Sequence, residues 1–220
     1  MKNEHNGLFI SIEGGDGSGK STALSYATER LRKEGYEFLL TREPGGNRIS
    51  EEIRNIILDK NNTDEDPKTE ALLYAASRRQ LMAEDIFPLL NQGKIVITDR
   101  YIDSSLAYQG YGRGLGVKEI LQINMFAIDG RMPDWTLFFD VRPEVALKRI
   151  AAHREDKVDR LDQEKVSFHE RVYNGYKELS REYKDRYLRI DGEKSIEEVQ
   201  EETYRLLKSK LDEYLQRNRK

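Results

Sequence analysis

The sequence predicts an α/β fold in which a five-stranded parallel sheet lies between two layers of helices. Apolar runs rich in β-branched and aromatic residues recur along the chain, at 8–12, 36–40, 95–98, 136–141 and 187–190. Longer amphipathic stretches separate these runs, and the first run leads directly into a glycine-rich loop. Strands that alternate with helices in this way are typical of a parallel sheet covered on both faces.

The composition predicts one globular domain over residues 1–220. Hydrophobic residues make up 37% of the chain and charged residues 35%, a balance that allows a sizeable core. The net charge of −3 gives no field that favours nucleic acid or an anionic membrane. Because the chain has no cysteine and begins without an apolar leader, we expect a cytoplasmic protein without disulfides or thiolate metal sites.

The first apolar run and the loop after it carry the strongest functional signal. Residues 8–13 have the pattern of a strand, residues 14–21 read G-G-D-G-S-G-K-S, and a helical stretch covers 22–34. A G-x-x-x-x-G-K-S loop between a strand and a helix is the P-loop, which wraps backbone N–H groups around phosphate oxygens. The predicted phosphate-binding residues are Gly14, Gly15, Asp16, Gly17, Ser18, Gly19, Lys20, Ser21 and Thr22.

Within this loop, glycine, lysine and serine have different tasks. Gly14, Gly17 and Gly19 allow backbone conformations that a β-carbon opposes. Lys20 is expected to place its charge on the β- and γ-phosphates, and the Ser21 hydroxyl to bind Mg²⁺.

A second predicted strand, over 94–98, ends in the charged pair Asp99 and Arg100. Ligands of open α/β sheets bind at the carboxyl ends of the strands. We therefore expect Asp99 to hold Mg²⁺ through water or to orient Lys20, and Arg100 to clamp a phosphate. The alternative for both residues is a structural salt bridge.

Two later segments complete the predicted organisation. The polar tract around 152–165 interrupts a helical pattern and is interpreted as a mobile loop, although a solvated helix face is the alternative. From 196 to 215 apolar residues recur every three or four positions, which predicts a packing helix at the end of the chain.

Five segments together resemble bacterial thymidylate kinases: EGGDGSGKST (13–22), TREPGG (41–46), EALLYAASRR (70–79), DRYIDSSLAYQG (99–110) and DRLDQE (159–164). They stand in the order found in that family. The resemblance implies the three-layer P-loop fold of the nucleoside monophosphate kinases. It also implies transfer of the γ-phosphate of ATP to dTMP, with Mg²⁺, to give dTDP and ADP in dTTP biosynthesis.

The resemblance further implies an acceptor site for dTMP. Arg54 and Arg100 match the arginines that hold its phosphate. Tyr74, where many relatives have Phe, matches the residue that stacks on thymine, and Arg78 matches the arginine that hydrogen-bonds to it. The i,i+4 spacing of the last two places them on one helix face.

A second set of residues is expected around the base and the sugar. By resemblance, Ser105 and Gln109 contact the thymine, and Tyr108 fills the space beside the sugar 2′ carbon, which disfavours ribonucleotides. Spacings of three and four predict that these residues share one helix face. Glu43 and Pro44 match a step that is often cis and that borders the acceptor pocket.

The catalytic arginine is expected in a lid at about 152–165. Some members of the family carry this arginine in the P-loop, at the position of Gly17, whereas the type implied here supplies it from the lid. Arg160 matches that position, and Arg154 is a second candidate. Asp16 matches an acidic residue near the acceptor phosphate or its metal. The catalytic set is therefore Asp16, Lys20, Arg100 and Arg160.

The resemblance also implies a homodimer, built from helix faces around 48–91 and 117–130. Two other functions stay open at this point. One is a kinase for a deoxynucleoside, adenylate, guanylate or a small alcohol. The other is a regulatory P-loop NTPase, in which residues 137–140 serve as a second metal-binding strand, although the chain lacks an N-K-x-D element and a basic stripe for a polynucleotide.

Overall fold

The computed structural model describes residues 6–153, 160 and 164–218. The strands are β1 (Leu8–Glu13), β2 (Leu39–Arg42), β3 (Ile95–Asp99), β4 (Trp135–Asp140) and β5 (Tyr187–Asp191). The α-helices in these ranges are α1 (Lys20–Lys33), α2 (Arg48–Leu58), α3 (Pro67–Leu81), α4 (Phe87–Asn91), α5 (Ile102–Ser105), α6 (Val117–Ala127), α7 (Pro143–His153), α8 (Val166–Glu182) and α9 (Ile196–Asn218). Two π-helical segments, Met82–Ile86 and Leu106–Gly112, continue α3 and α5. None of the helices in the described ranges has the length and apolar content of a membrane span.

The five strands form one parallel sheet in the order β2-β3-β1-β4-β5, as predicted. In this order β1 lies between β3 and β4. The connection after β1 runs to β2, beyond β3, whereas the connection after β3 runs in the opposite direction to β4, beyond β1. The connections that follow these strands therefore separate, and a crevice opens at their carboxyl ends, where open α/β sheets bind ligands.

Alternate side chains of the sheet enter two separate cores. Phe9, Val96 and Phe138 belong to the core that faces α3, α5 and α8. Ile10 and Ile97 belong to the core that faces α1 and α9. Because successive strand residues point to opposite faces, both faces must be covered. This arrangement confirms the predicted three-layer sandwich.

The second strand begins later than the predicted run at 36–40. Tyr36 lies in the turn that closes the end of α1, since its N–H donates to the carbonyl of Leu31 at 3.1 Å. Pairing with β3 starts only at Leu39 and continues to Arg42, opposite Asp99. Apolar character at 36–38 reflects packing against the core, whereas the strand is set by its hydrogen-bonding partner.

Candidate active site

A cavity of about 570 Å³ lies along the carboxyl ends of the central strands. The P-loop forms its middle. One end is lined by Arg42, Glu43, Pro44, Arg54, Leu58, Tyr74, Asp99, Arg100, Ser104, Tyr108 and Gln109. The other end is lined by Arg149, Ile150, Gly192, Lys194, Ile196, Val199 and Gln200. The second group could not be predicted from the sequence, because the β5–α9 connection and α7 carry no motif.

The backbone of the P-loop has the conformation that its glycines predict. Gly14, Gly17 and Gly19 have φ angles of 143°, 74° and 84°, a region that L-residues rarely adopt. A β-carbon at Gly17 would lie 2.4 Å from the carbonyl oxygen of Ala146 in α7. Any side chain at Gly17 therefore requires α7 to move, which gives a structural reason for the absence of an arginine at this position.

Lys20, the first residue of α1, lies buried against the loop. Its Nζ donates to the carbonyl of Gly15 at 3.0 Å. Burial, together with the positive charge of Arg100, lowers the pKa of Lys20 to about 8. The ammonium group is thus held at the phosphate-binding loop in surroundings that favour the arrival of negative charge.

The Ser21 hydroxyl and the Asp99 carboxylate meet at the base of the loop. Ser21 Oγ donates to Asp99 Oδ2 at 3.2 Å. The other oxygen, Asp99 Oδ1, is buried and has no hydrogen-bond partner among the described residues. Oxygen ligands of this kind suit Mg²⁺, which binds one or two protein groups and completes its shell with phosphate and water. The two residues therefore fit the metal that the sequence predicts.

Arg100 is held in an unusual backbone conformation at the end of β3. Its φ is 72°, and its N–H donates to the carbonyl of Ile12 at 2.9 Å. The guanidinium donates from Nη2 to Asp16 at 2.6 Å and to the Tyr108 hydroxyl at 3.1 Å. It also donates from Nη1 to the Gly14 carbonyl at 3.1 Å. Arg100 therefore forms a salt bridge and also lines the cavity.

Glu13, which the sequence analysis did not single out, supports this arginine from behind. Its Oε1 accepts the N–H of Tyr101 at 2.7 Å and its Oε2 accepts the hydroxyl of Tyr176 at 2.9 Å. The Tyr176 hydroxyl in turn accepts from Arg100 Nη1 at 3.3 Å. Burial, together with the nearby Asp103, raises the pKa of Glu13 to about 8. The one available signal was a carboxylate at the end of an otherwise apolar strand.

One wall of the cavity contains several residues that were predicted for the dTMP site. We call it the acceptor wall and define it by Arg54, Tyr74, Tyr108 and Gln109. Arg54 Nη1 donates to the Pro44 carbonyl at 2.8 Å. The Glu43–Pro44 peptide bond is cis, as the resemblance implied.

Arg78 and Ser105 lie behind this wall. Arg78 donates from Nε to Glu43 at 2.6 Å, from Nη1 to Ser105 Oγ at 3.0 Å and from Nη2 to the Tyr101 carbonyl at 3.0 Å. Its Nη1 also donates to Asn124. Four of the hydrogen bonds that a guanidinium can donate thus go to protein groups, and the side chain is buried.

The predicted shared helix face at residues 105–109 differs from the observed geometry. Ser105 ends α5, whereas Tyr108 and Gln109 lie in the π-helical segment Leu106–Gly112. The wider turn of a π-helix changes the angle between residues that are three or four apart. As a result Tyr108 and Gln109 reach the cavity while Ser105 contacts Arg78.

Arg160 lies at the outer end of the acceptor wall. Its Nε donates to the Ile57 carbonyl at 3.0 Å, and its Nη2 lies 2.6 Å from Glu70 and 2.5 Å from Glu65. The side chain is not among the residues that line the cavity. Arg154, the second lid candidate, lies outside the described residues.

Comparisons with known proteins agree on one family. The sequence model of the thymidylate kinase family matches residues 12–203. A thymidylate kinase of Geobacillus sp. (strain WCH70) is 52% identical over 193 residues, which are 88% of this chain and 92% of the relative. One of Clostridium novyi (strain NT) is 50% identical over 202 residues, or 92% of this chain and 98% of the relative. The crystal structure of thymidylate kinase from Ehrlichia chaffeensis superposes with a TM-score of 0.73 at 33% identity, covering 92% of this chain and 98% of the other.

The raised pKa of Glu13 predicts a measurable pH dependence of stability. Between the ordinary value of 4.5 and about 8, the folded chain binds more protons at Glu13 than the unfolded chain, so this residue lowers stability as the pH rises. Glu13→Gln cannot ionise and is expected to remove that decline. Urea denaturation gives the free energy of unfolding of both proteins. The value for Glu13→Gln minus the value for the wild type should increase by at least about 1 kcal/mol from pH 5 to pH 8.

Glu193→Gln is the control for this experiment. Hydrogen bonds from Arg142 lower the pKa of Glu193 to about 2, so its ionisation does not change between pH 5 and pH 8. If the free energies of unfolding of Glu13→Gln and Glu193→Gln differ from the wild type in the same way at every pH, the predicted raised pKa of Glu13 is wrong.

Proposed function

The chain belongs to the thymidylate kinase family, and from this premise we propose how its residues share the transfer of the γ-phosphate of ATP to dTMP. The products are dTDP, a precursor of dTTP, and ADP. The observation that carries the proposal is the single cavity in which a P-loop and an aromatic, arginine-lined wall meet at Arg100. Membership of this family favours dTMP kinase activity over the two alternatives, a kinase with another acceptor and a purely regulatory NTPase.

The P-loop half of the cavity takes ATP. Residues 14–22 surround the phosphates with backbone N–H groups, and Lys20 adds its charge to the β- and γ-phosphates. Ser21 and Asp99 are the groups that would hold Mg²⁺, which when bound neutralises charge on the phosphates. The nucleoside of ATP lies towards Arg149, Gly192 and Gln200, since these line the cavity on the side away from the acceptor wall.

The opposite half takes dTMP. Arg100 and Arg54 hold the acceptor phosphate, which is already ionised at neutral pH and needs no general base. Tyr74 stacks on the thymine, and Gln109 contacts its polar edge. Arg78 and Ser105, which the resemblance implies as thymine contacts, are not among the residues that line the cavity. Their contact with the base stays a prediction, and in this structure they stand behind the wall with hydrogen bonds that fix the direction of the guanidinium.

Tyr108 selects the sugar. Its hydroxyl donates to Asp16 Oδ2 at 2.6 Å and accepts from Arg100, so the ring is fixed from both sides. A ribose 2′ hydroxyl that meets this ring lacks a partner and is rejected. The same contacts explain how Asp16 acts near the acceptor phosphate: it aligns Arg100 and Tyr108 together.

Arg160 is proposed to supply the transition-state charge that the P-loop lacks. Gly17 has no room for a side chain, and phosphoryl transfer gains most from positive charge placed on the transferring group. The segment around 152–165 would act as the lid that brings Arg160 to this position. In the structure Arg160 pairs with Glu65 and Glu70, and these contacts must break first.

Arg160→Ala tests this role. If the guanidinium acts in the transition state, kcat falls at least about 100-fold while the KM of each nucleotide changes less than about threefold. Steady-state kinetics with dTMP and ATP give both values. Glu65→Gln is the matched control, because it removes one ion-pair partner of Arg160 and leaves the arginine in place. A raised KM with unchanged kcat in Arg160→Ala would refute the proposed role.

We also propose a homodimer, in keeping with a cytoplasmic enzyme of nucleotide synthesis. The packed helices α2, α3 and α6 present Ile56, Leu72 and Phe126, which are 49%, 55% and 86% exposed. Exposed apolar side chains on helices that pack together favour association with a second copy.

Phe126→Asp is expected to shift this dimer to the monomer. A charge in the centre of an apolar interface costs the full desolvation of the carboxylate. Sedimentation velocity measures the change, with Val166→Asp as the control, since Val166 is 53% exposed on α8, a helix outside the proposed interface. A wild-type chain that sediments as a monomer at every concentration would overturn the proposal.

A further inference from the structure

We propose that Glu70 is a positioning residue that fixes the orientation of the Gln109 side-chain amide, and that it thereby makes the acceptor site selective for thymine over cytosine. The inference rests on the proposed function, in which Gln109 contacts the base. To the proposed function it adds Glu70, a residue that does not touch the substrate, and it names cytosine as a base that the site rejects.

Glu70 is a buried carboxylate in the first turn of α3. Its Oε1 accepts from Gln109 Nε2 at 2.8 Å and from Arg113 Nε at 3.2 Å. Its Oε2 accepts from Arg113 Nη2 at 2.9 Å and from Arg160 Nη2 at 2.6 Å. Only 1% of the residue is exposed. Although burial opposes ionisation, the hydrogen bonds and charge of Arg113 keep the pKa of Glu70 below its usual value.

An ionised carboxylate accepts hydrogen bonds and donates none. The Gln109 amide must therefore turn its Nε2 towards Glu70. In the reversed orientation the amide oxygen would face a carboxylate oxygen, and two buried acceptors would be left without a proton between them. Gln109 is also 1% exposed, so bulk water does not relieve this contact. The carboxylate thus decides which end of the amide is available to a ligand.

The available end is the amide oxygen. Gln109 lines the cavity, and across the described ranges the hydrogen bond that its side chain makes goes from Nε2 to Glu70. Thymine and cytosine differ along this polar edge at two positions: N3, which carries a proton in thymine and a lone pair in cytosine, and C4, which carries a carbonyl in thymine and an amino group in cytosine. A fixed amide oxygen accepts the N3–H of thymine, whereas it meets the lone pair of cytosine with like polarity. Such an unpaired buried contact is the kind that gives strong discrimination.

The competing explanation is that Glu70 only anchors Arg113 and Arg160. Glu65 provides a matched comparison for this role. It also lies close to Arg160, at 2.5 Å, and its side chain is 6% exposed. It makes no contact with Gln109 among those that the structure describes. Replacing a purely structural carboxylate would change kcat/KM for dTMP and for dCMP equally. Replacing a carboxylate that orients Gln109 would change the ratio of the two values.

Glu70→Gln is the central variant, because a carboxamide at position 70 can donate as well as accept and leaves the Gln109 amide free to turn. The readout is the ratio of kcat/KM for dTMP to kcat/KM for dCMP, with the Ki of dCMP against dTMP as a second measure of the same ratio. We expect the ratio to fall at least about tenfold in Glu70→Gln and to stay within about twofold of wild type in Glu65→Gln.

Three results would contradict the inference. If Glu70→Gln lowers kcat/KM for both nucleotides equally, Glu70 has only a structural role and the inference is wrong. If Gln109→Leu changes the ratio and Glu70→Gln does not, the contact of Gln109 with the base is confirmed and the orienting role of Glu70 is wrong. If Gln109→Leu itself leaves the ratio unchanged, the proposed base contact is wrong as well.

Glu70→Asp keeps the experiment decisive if Glu70→Gln fails to fold. The shorter carboxylate preserves the negative charge beside Arg113 and Arg160 but withdraws it from Gln109. A loss of the dTMP-to-dCMP ratio is expected here too, and an unchanged ratio in folded Glu70→Asp overturns the inference.

Discussion

The site depends on Arg100 being held rigidly at the end of β3, between the donor and acceptor halves. A non-glycine residue with φ of 72° costs on the order of 1 kcal/mol or more unless its surroundings compensate. Here the Arg100 N–H reaches β1 and the Arg100 carbonyl accepts from Thr98 Oγ1 at 2.9 Å. The guanidinium then reaches the P-loop on one side and Tyr108 on the other. In the proposed function, this one side chain therefore sets the distance between the two nucleotides.

Buried acidic side chains orient polar groups that line the cavity or lie directly behind its wall. Glu13 aligns Arg100 through Tyr176, Glu43 aligns Arg78, and Glu70 faces the Gln109 amide. A buried charge is expensive unless each oxygen finds a donor. Both oxygens of Glu70 accept hydrogen bonds, whereas Glu43 Oε1 has no partner among the described residues and burial raises the pKa of Glu13 to about 8 and that of Glu43 to about 7. Rigid orientation of this kind provides the preorganisation on which phosphoryl transfer relies.

Much of this account could be predicted from the sequence, because local patterns carry it. Strand, glycine loop and helix around Lys20 identify the phosphate site, and the position of Arg100 after an apolar strand places it at the same edge. The start of β2, the π-helical turn at Tyr108 and the partners of Glu70 could not be predicted. They depend on contacts between residues distant in the chain, which periodicity and local motifs do not report.

The most direct test of the account is Arg100→Lys. Lysine keeps the charge but cannot donate in several fixed directions at once, so it cannot reach the P-loop and Tyr108 together. The account predicts that kcat/KM for dTMP falls at least about 100-fold, while the Kd of a non-hydrolysable ATP analogue stays within about threefold of wild type. A variant that keeps its kcat/KM for dTMP would contradict the claim that Arg100 joins the two halves. A variant that loses affinity for the ATP analogue to the same degree would contradict the claim that Arg100 holds the acceptor phosphate.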